Sequence, residues 1–132
     1  MKIPLAVASC VLLLSGCGAV SQGAQCTNAL QMSVGPSTGT ADHSAAAPGN
    51  QQVFTAATSQ KPQIGCAETA LELEVFPAWT SADPLDISIS SANDKTNGTA
   101  ICTGSTNGPV LLTAVLSSGA NALTATASLT CK

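Results

Sequence analysis

The chain has no arginine and no tyrosine, and its 132 residues include only one tryptophan, two phenylalanines and one histidine. Charged residues make up 8% of it. The missing arginine leaves Lys2, Lys61, Lys95 and Lys132 as the only strong cations, scattered along the sequence. Nucleic acid and anionic lipid surfaces are held by clustered Lys and Arg, so neither is an expected partner of a basic face here. With a single histidine and neither Tyr nor Arg, most acid-base and oxyanion arrangements would have to be built from carboxylates alone. Few aromatics also means few large side chains to fill a core. No apolar run reaches the roughly 20 residues of a spanning helix.

A shorter run is present. Lys2 supplies a positive charge, residues 3–14 are almost unbroken in apolar character, and Leu14-Ser15-Gly16-Cys17 closes the segment. Charge, apolar core and small residues in that order read as a cleavable signal peptide over 1–16. The four closing residues form a lipobox, in which the Cys17 thiol accepts a diacylglycerol and the chain is cut before it. One acyl chain binds membranes only marginally, whereas the three chains usual in bacterial lipoproteins anchor stably. The expectation is a protein anchored to a membrane in the cell envelope without spanning it. Gly18 in place of Asp after the cysteine leans towards the outer membrane or cell surface.

Cleavage leaves 116 residues (17–132), a length suited to one domain. Three lysines face seven carboxylates in that part, a net charge of −4. Solubility must therefore rest on Ser, Thr, Asn, Gln and Gly. Cys10 leaves with the leader and Cys17 takes lipid, so Cys26, Cys66, Cys102 and Cys131 remain. An even number in an oxidising compartment predicts two disulfides. Zinc sites bring ligands in close pairs such as Cys-x-x-Cys, and no two of these cysteines are near neighbours, so no metal is expected.

Small polar residues over 17–29 suit a flexible tether. From Leu30 the pattern is of strands. Residues 30–34 alternate apolar and polar and stop at Gly35-Pro36. Residues 38–50 read as loop, ending in the turn signal Pro48-Gly49-Asn50. A second strand follows at 52–57, and a long loop over 60–65 leads to Cys66. Leu71, Leu73 and Val75 share one face of a third strand, with Glu72 and Glu74 on the other, and the strand continues towards Trp79. The Ala, Leu and Glu content of 67–75 suits a helix as well. Further strands are expected at 86–90, 99–102, 110–116 and 123–131, separated by polar turns including Asn97-Gly98. About seven short strands and no convincing amphipathic helix argue for an all-β, antiparallel β-sandwich over 30–132.

Several segments resemble bacterial Ig-like domains of the Big2 type. Pro48-Gly49-Asn50-Gln51-Gln52-Val53-Phe54-Thr55-Ala56 is similar to their opening, Ala78-Trp79-Thr80-Ser81-Ala82-Asp83-Pro84 to their tryptophan segment, and Gly98-Thr99-Ala100 to their glycine-led strand. Val110-Leu111-Leu112-Thr113-Ala114 and Ala127-Ser128-Leu129-Thr130 are similar to their last two strands. Each motif is weak alone; their order and spacing over 30–131 are more specific. The insert at 38–47 and the four cysteines depart from the family pattern. The resemblance implies an Ig-like sandwich used for adhesion, spacing or carbohydrate contact at cell surfaces, and no catalytic residues. In such a sandwich, alternating strand directions favour Cys26 with Cys66 and Cys102 with Cys131 among the three possible pairings.

The remaining candidates are few. His43 lies in a polar loop with no nucleophile or second ligand nearby, and reads as a surface residue. Glu72 and Glu74 could form a carboxylate pair but suit a solvated strand face better. Asp83, Asp86 and Asp94 match no calcium-loop spacing. Trp79 fits a core position better than a sugar platform. Asn97-Gly98-Thr99 reads as a turn. The expectation is a non-enzymatic surface lipoprotein without cofactors, partnered by its membrane and by a cell-surface protein or polysaccharide. The alternative is a small ligand-binding or accessory subunit of an envelope or polysaccharide-handling complex.

Overall fold

The computed structural model describes residues 29–66, 73–118 and 121–132. The expected leader, Cys17, Cys26, nearly all of the tether, and residues 67–72 with Glu72 lie outside them. Among the described residues ten strands are formed: β1 (Leu30–Gly35), β2 (Thr38–Ala41), β3 (Gln51–Val53), β4 (Thr55–Gln60), β5 (Leu73–Val75), β6 (Ala78–Ser81), β7 (Ile87–Ile89), β8 (Thr99–Cys102), β9 (Val110–Ser118) and β10 (Asn121–Cys131). No helix occurs among the described residues. The strands make three hydrogen-bonded groups, ordered β1-β4-β5, β2-β10-β9-β6 and β3-β8-β7. All pairings are antiparallel except that of β2 with β10, which is parallel. The result is an all-β architecture of several sheets, consistent with a β-sandwich.

Ten strands stand where the sequence predicts about seven, for two physical reasons. Two expected strands each break and change partners. Phe54 separates β3 from β4; its side chain is wholly buried and its N–H donates to Gly98 O at 2.9 Å instead of joining a ladder. The chain pairs with β8 before Phe54 and with β1 after it. Pro77, also buried and lacking an N–H, divides β5 from β6. The other reason corrects the reading of 38–50 as loop. Thr38–Ala41 is a strand, registered on Ser128–Cys131 with Thr40 opposite Thr130. Its alternation is of threonine with glycine and alanine, which carries no apolar signal. A Cβ at Gly39 would lie 2.6 Å from Gln52 Cγ, so a larger residue there requires the Gln52 side chain to shift.

The core follows from period-two alternation. Leu112 and Ala114 of β9 and Ala127, Leu129 and Cys131 of β10 point inward and are buried, while the residues between them face out. Phe54, Trp79 and Ile87 complete the centre. The Phe54 and Trp79 rings meet at a centroid distance of 6.3 Å, tilted by 44°. Burying side chains of this size stabilises by about 1.5–3 kcal/mol each, so these few residues carry much of the hydrophobic stabilisation. Val75 packs on this core, but Leu73 is 60% exposed, against the expectation of an inward Leu face. Leu73 pairs with Thr58, the last buried position of β4, on a three-residue edge strand that extends past the core.

Candidate functional site

Asn97 organises the middle of the molecule. It is buried, its Oδ1 accepts from Trp79 Nε1 at 2.8 Å, and its Nδ2 donates to Pro77 O at 3.1 Å and Ala92 O at 2.8 Å. Ser91 Oγ accepts from Trp79 N–H at 2.7 Å, binding the same loop to β6. The adjoining Gly98 has φ of 76°, and a Cβ there would lie 1.9 Å from Phe54 O. Only glycine adopts that backbone at so close an approach without strain. The expected Asn97-Gly98 turn is therefore also the polar clamp of the core. The general signal was available: a buried indole N–H must find an acceptor, and short amides near the tryptophan in the fold are the candidates.

Cys102 and Cys131 form a disulfide with a Cα separation of 5.7 Å. It ties the end of β8 to the end of β10, and hence one sheet to another. Cys66 is also disulfide-bonded, and its partner is outside the described residues.

Two surface cavities hold the remaining polar candidates. One, of about 360 Å³, lies between Asp83 and Asp86 on one side and Thr106, Asn107 and Pro109 on the other. Asp83 Oδ1 accepts from Asp86 N–H at 3.4 Å, and Asp86 O accepts from Thr103 N–H at 2.8 Å, so the two carboxylates sit on a tied turn. The second, of about 570 Å³, runs over the outer side of β3-β8-β7 and is bordered by Ser88, Ser90, Lys95, Thr96 and Ile101. Asp94 stands apart from Asp83 and Asp86. Its Oδ1 accepts from Thr96 N–H at 2.7 Å and Thr96 Oγ1 at 2.6 Å, and these bonds hold its carboxyl below the usual carboxylate range. Ser44 does the same for Asp42. The structure thus brings Asp83 and Asp86 together and leaves Asp94 in another loop.

The other sequence candidates are dispersed. His43 is exposed; its N–H donates to Lys132 O at 3.1 Å, and its Nδ1 touches the same oxygen. Glu74 is exposed on β5. Trp79 is 5% exposed, a core residue with no face open for stacking. Among the described residues, no group of three His, Cys, Asp or Glu side chains is placed to hold a metal ion. Nor is any helix long and apolar enough to cross a membrane among them. Chemically, the cavities offer hydroxyls, amides and carboxylates as hydrogen-bonding groups. No family model matches the chain, and no curated protein matches its sequence.

Proposed function

We propose that this protein is a lipid-anchored, non-enzymatic lipoprotein of the cell envelope, whose single Ig-like domain of Big2 type serves a structural, adhesive or interaction role. The observation that carries the anchor is the sequence Leu14-Ser15-Gly16-Cys17 after a charged and then apolar leader. The Ig-like reading draws support from strand order. A four-stranded group β2-β10-β9-β6 accompanies a three-stranded group β3-β8-β7, with a buried tryptophan on the strand that pairs with β9. The four-plus-three count is that of immunoglobulin domains, which also bury a tryptophan in the core, whereas here the tryptophan lies on the four-stranded group and β1-β4-β5 is a third group. The disulfide differs in position, joining β8 to β10. Pairing of Cys66 with Cys26 belongs to the same reading, as does localisation at the outer membrane or cell surface.

Intact mass of the membrane-extracted protein, with and without reduction and alkylation, tests it. The expected mass is that of residues 17–132 plus lipid, with four cysteines labelled only after reduction. A mass without lipid removes the anchor, and thiols labelled before reduction remove the second disulfide.

The two cavities favour a second reading, a small ligand-binding or accessory subunit of an envelope or polysaccharide-handling complex. Amide chemical shifts of Thr106, Asn107, Ser88 and Thr99 moving together on titration with one saccharide would support it; no movement across a saccharide panel would remove it.

A further inference from the structure

The tripeptide Thr-Asn-Gly occurs twice, as Thr96-Asn97-Gly98 and Thr106-Asn107-Gly108, and these hold the two Asn-Gly pairs of the chain. An asparagine followed by glycine is chemically labile, because a glycine nitrogen with no Cβ beside it reaches the side-chain carbonyl of the preceding residue. Identical tripeptides start from nearly the same reactivity, so a large difference between them must come from the fold. The first is closed. Asn97 is buried with its amide bonded to Trp79, Pro77 and Ala92, and Gly98 N–H donates to Ser90 O at 2.9 Å. The second is open. Asn107 is exposed and lines the cavity that holds Asp83 and Asp86. Among the described residues, neither its side chain nor the Gly108 N–H makes a hydrogen bond. Gly108 has φ of 139°, and nothing lies within 4 Å of the place a Cβ would take, whereas a Cβ on Gly98 would strike Phe54 O. Thr106 fixes the base of this loop on β10, its N–H donating to Cys131 O at 3.0 Å and its Oγ1 to Gly108 O at 2.8 Å.

We propose that Asn107 is a site of spontaneous modification, converted in the folded protein to a mixture of aspartate and isoaspartate while Asn97 is spared. Gly108 N gives up its proton to solvent base and attacks Asn107 Cγ. The new N–C bond closes a succinimide ring as the bond from Cγ to the amide nitrogen breaks, and that nitrogen leaves as ammonia with a proton from water. Water then adds to one of the two ring carbonyls. Attack at Cγ yields aspartate; attack at the main-chain carbonyl yields isoaspartate, whose chain runs through the side-chain methylene. No oxidant or reductant takes part, and water is the sole co-reactant. Either product replaces a neutral amide, with its two N–H donors, by a carboxylate that only accepts. The new negative charge lies in the cavity already lined by Asp83 and Asp86, and the isoaspartate form lengthens the backbone just before β9 begins at Val110. At Asn97 the same attack requires loss of the three side-chain hydrogen bonds that clamp it.

Incubation of the full protein as isolated at mildly alkaline pH, followed by digestion and electron-transfer fragmentation, tests this, since the fragments localise the exchange of amide for acid and separate aspartate from isoaspartate. Conversion at Asn107 is expected at least about tenfold faster than at Asn97, whose hydrogen bonds must first break. In the same protein reduced and unfolded in urea, the two rates should converge. Asn107→Gln keeps an amide at an exposed position but needs a larger ring for the same attack, and should abolish conversion at residue 107. Equal rates at the two asparagines in the folded protein overturn the proposal, as does an Asn107 that stays intact while its unfolded counterpart converts. Conversion that persists in Asn107→Gln overturns the succinimide route.

Discussion

Two ends of the β architecture are held together by different means. At one, Phe54 and Trp79 meet over Gly98 and Asn97 satisfies the indole and two carbonyls, while Cys102–Cys131 joins two sheets at the far end of β8. At the other, the β1-β4-β5 sheet ends in Leu30 and Leu73, 49% and 60% exposed, and Thr58 Oγ1 donates to Leu73 O at 3.5 Å. The first concentrates its stabilisation in a few large side chains; the second reaches the core through Ala56, Met32, Val34 and Val75 and leaves its outermost leucines exposed. A protein with three large aromatics can afford only one well-packed centre.

Truncation should expose this contrast. Trp79→Ala removes the largest core side chain and the donor of the Asn97 bond together, and should cost about 3–5 kcal/mol in chemical unfolding. Replacing Cys102 and Cys131 together by Ala opens a link between residues 29 apart, which the chain-entropy account values at about 3–4 kcal/mol. A loss under about 1 kcal/mol would mean that β8 and β10 are held by packing alone. Asn97→Ala leaves the indole N–H and two carbonyls without partners and should cost about 2–3 kcal/mol. Trp79→Phe should then be less harmful in that background than in wild type, since the stranded donor is gone; additive losses would break the idea of one polar clamp.

At the other end, Leu73→Ser should change stability by no more than about 0.5 kcal/mol. A much larger loss would show that the β1-β4-β5 end has a tight core of its own. The smallest effect concerns pH. The Asp94 carboxylate is favoured in the folded state by its bonds to Thr96, so its contribution is present above the ordinary carboxylate range and is lost as pH falls through the lowered folded value. Carboxyl resonances should place the Asp94 midpoint lower in wild type than in Thr96→Ala; coincident midpoints would show that Thr96 Oγ1 does not set it.

The positions of most strands are legible, either as an apolar β-forming run such as Val110 to Leu116 or as an alternation of polar and apolar residues such as Leu123 to Cys131. β2 is not, because Thr38-Gly39-Thr40-Ala41 holds its place by backbone pairing to β10 and close approach to Gln52. Leu73 misleads for the opposite reason: its pattern is right, but pattern cannot tell how far the facing layer extends. The Cys102–Cys131 link is one of three pairings the sequence allows, favoured by where strands end in an assumed sandwich. Asn97 reads as a turn residue because sequence shows its neighbours along the chain, whereas its partners Trp79 and Pro77 are 18 and 20 residues away. The cavity pairing Asp83 and Asp86 with Thr106 likewise depends on a fold-level meeting of two loops.

β10 has a consequence for how the chain is made. It lies between β2 and β9, and it carries both Leu129 of the core and one sulfur of the disulfide. While residues 121–131 are still within the synthesis or export machinery, β2 and β9 have no common neighbour and Cys102 has no mate. The sheet cannot be finished from its first residues forward. Release of β10 is thus the event that permits closure of this sheet, and until then β2 and β9 present open edges and Cys102 an unpaired thiol to whatever accompanies the nascent chain.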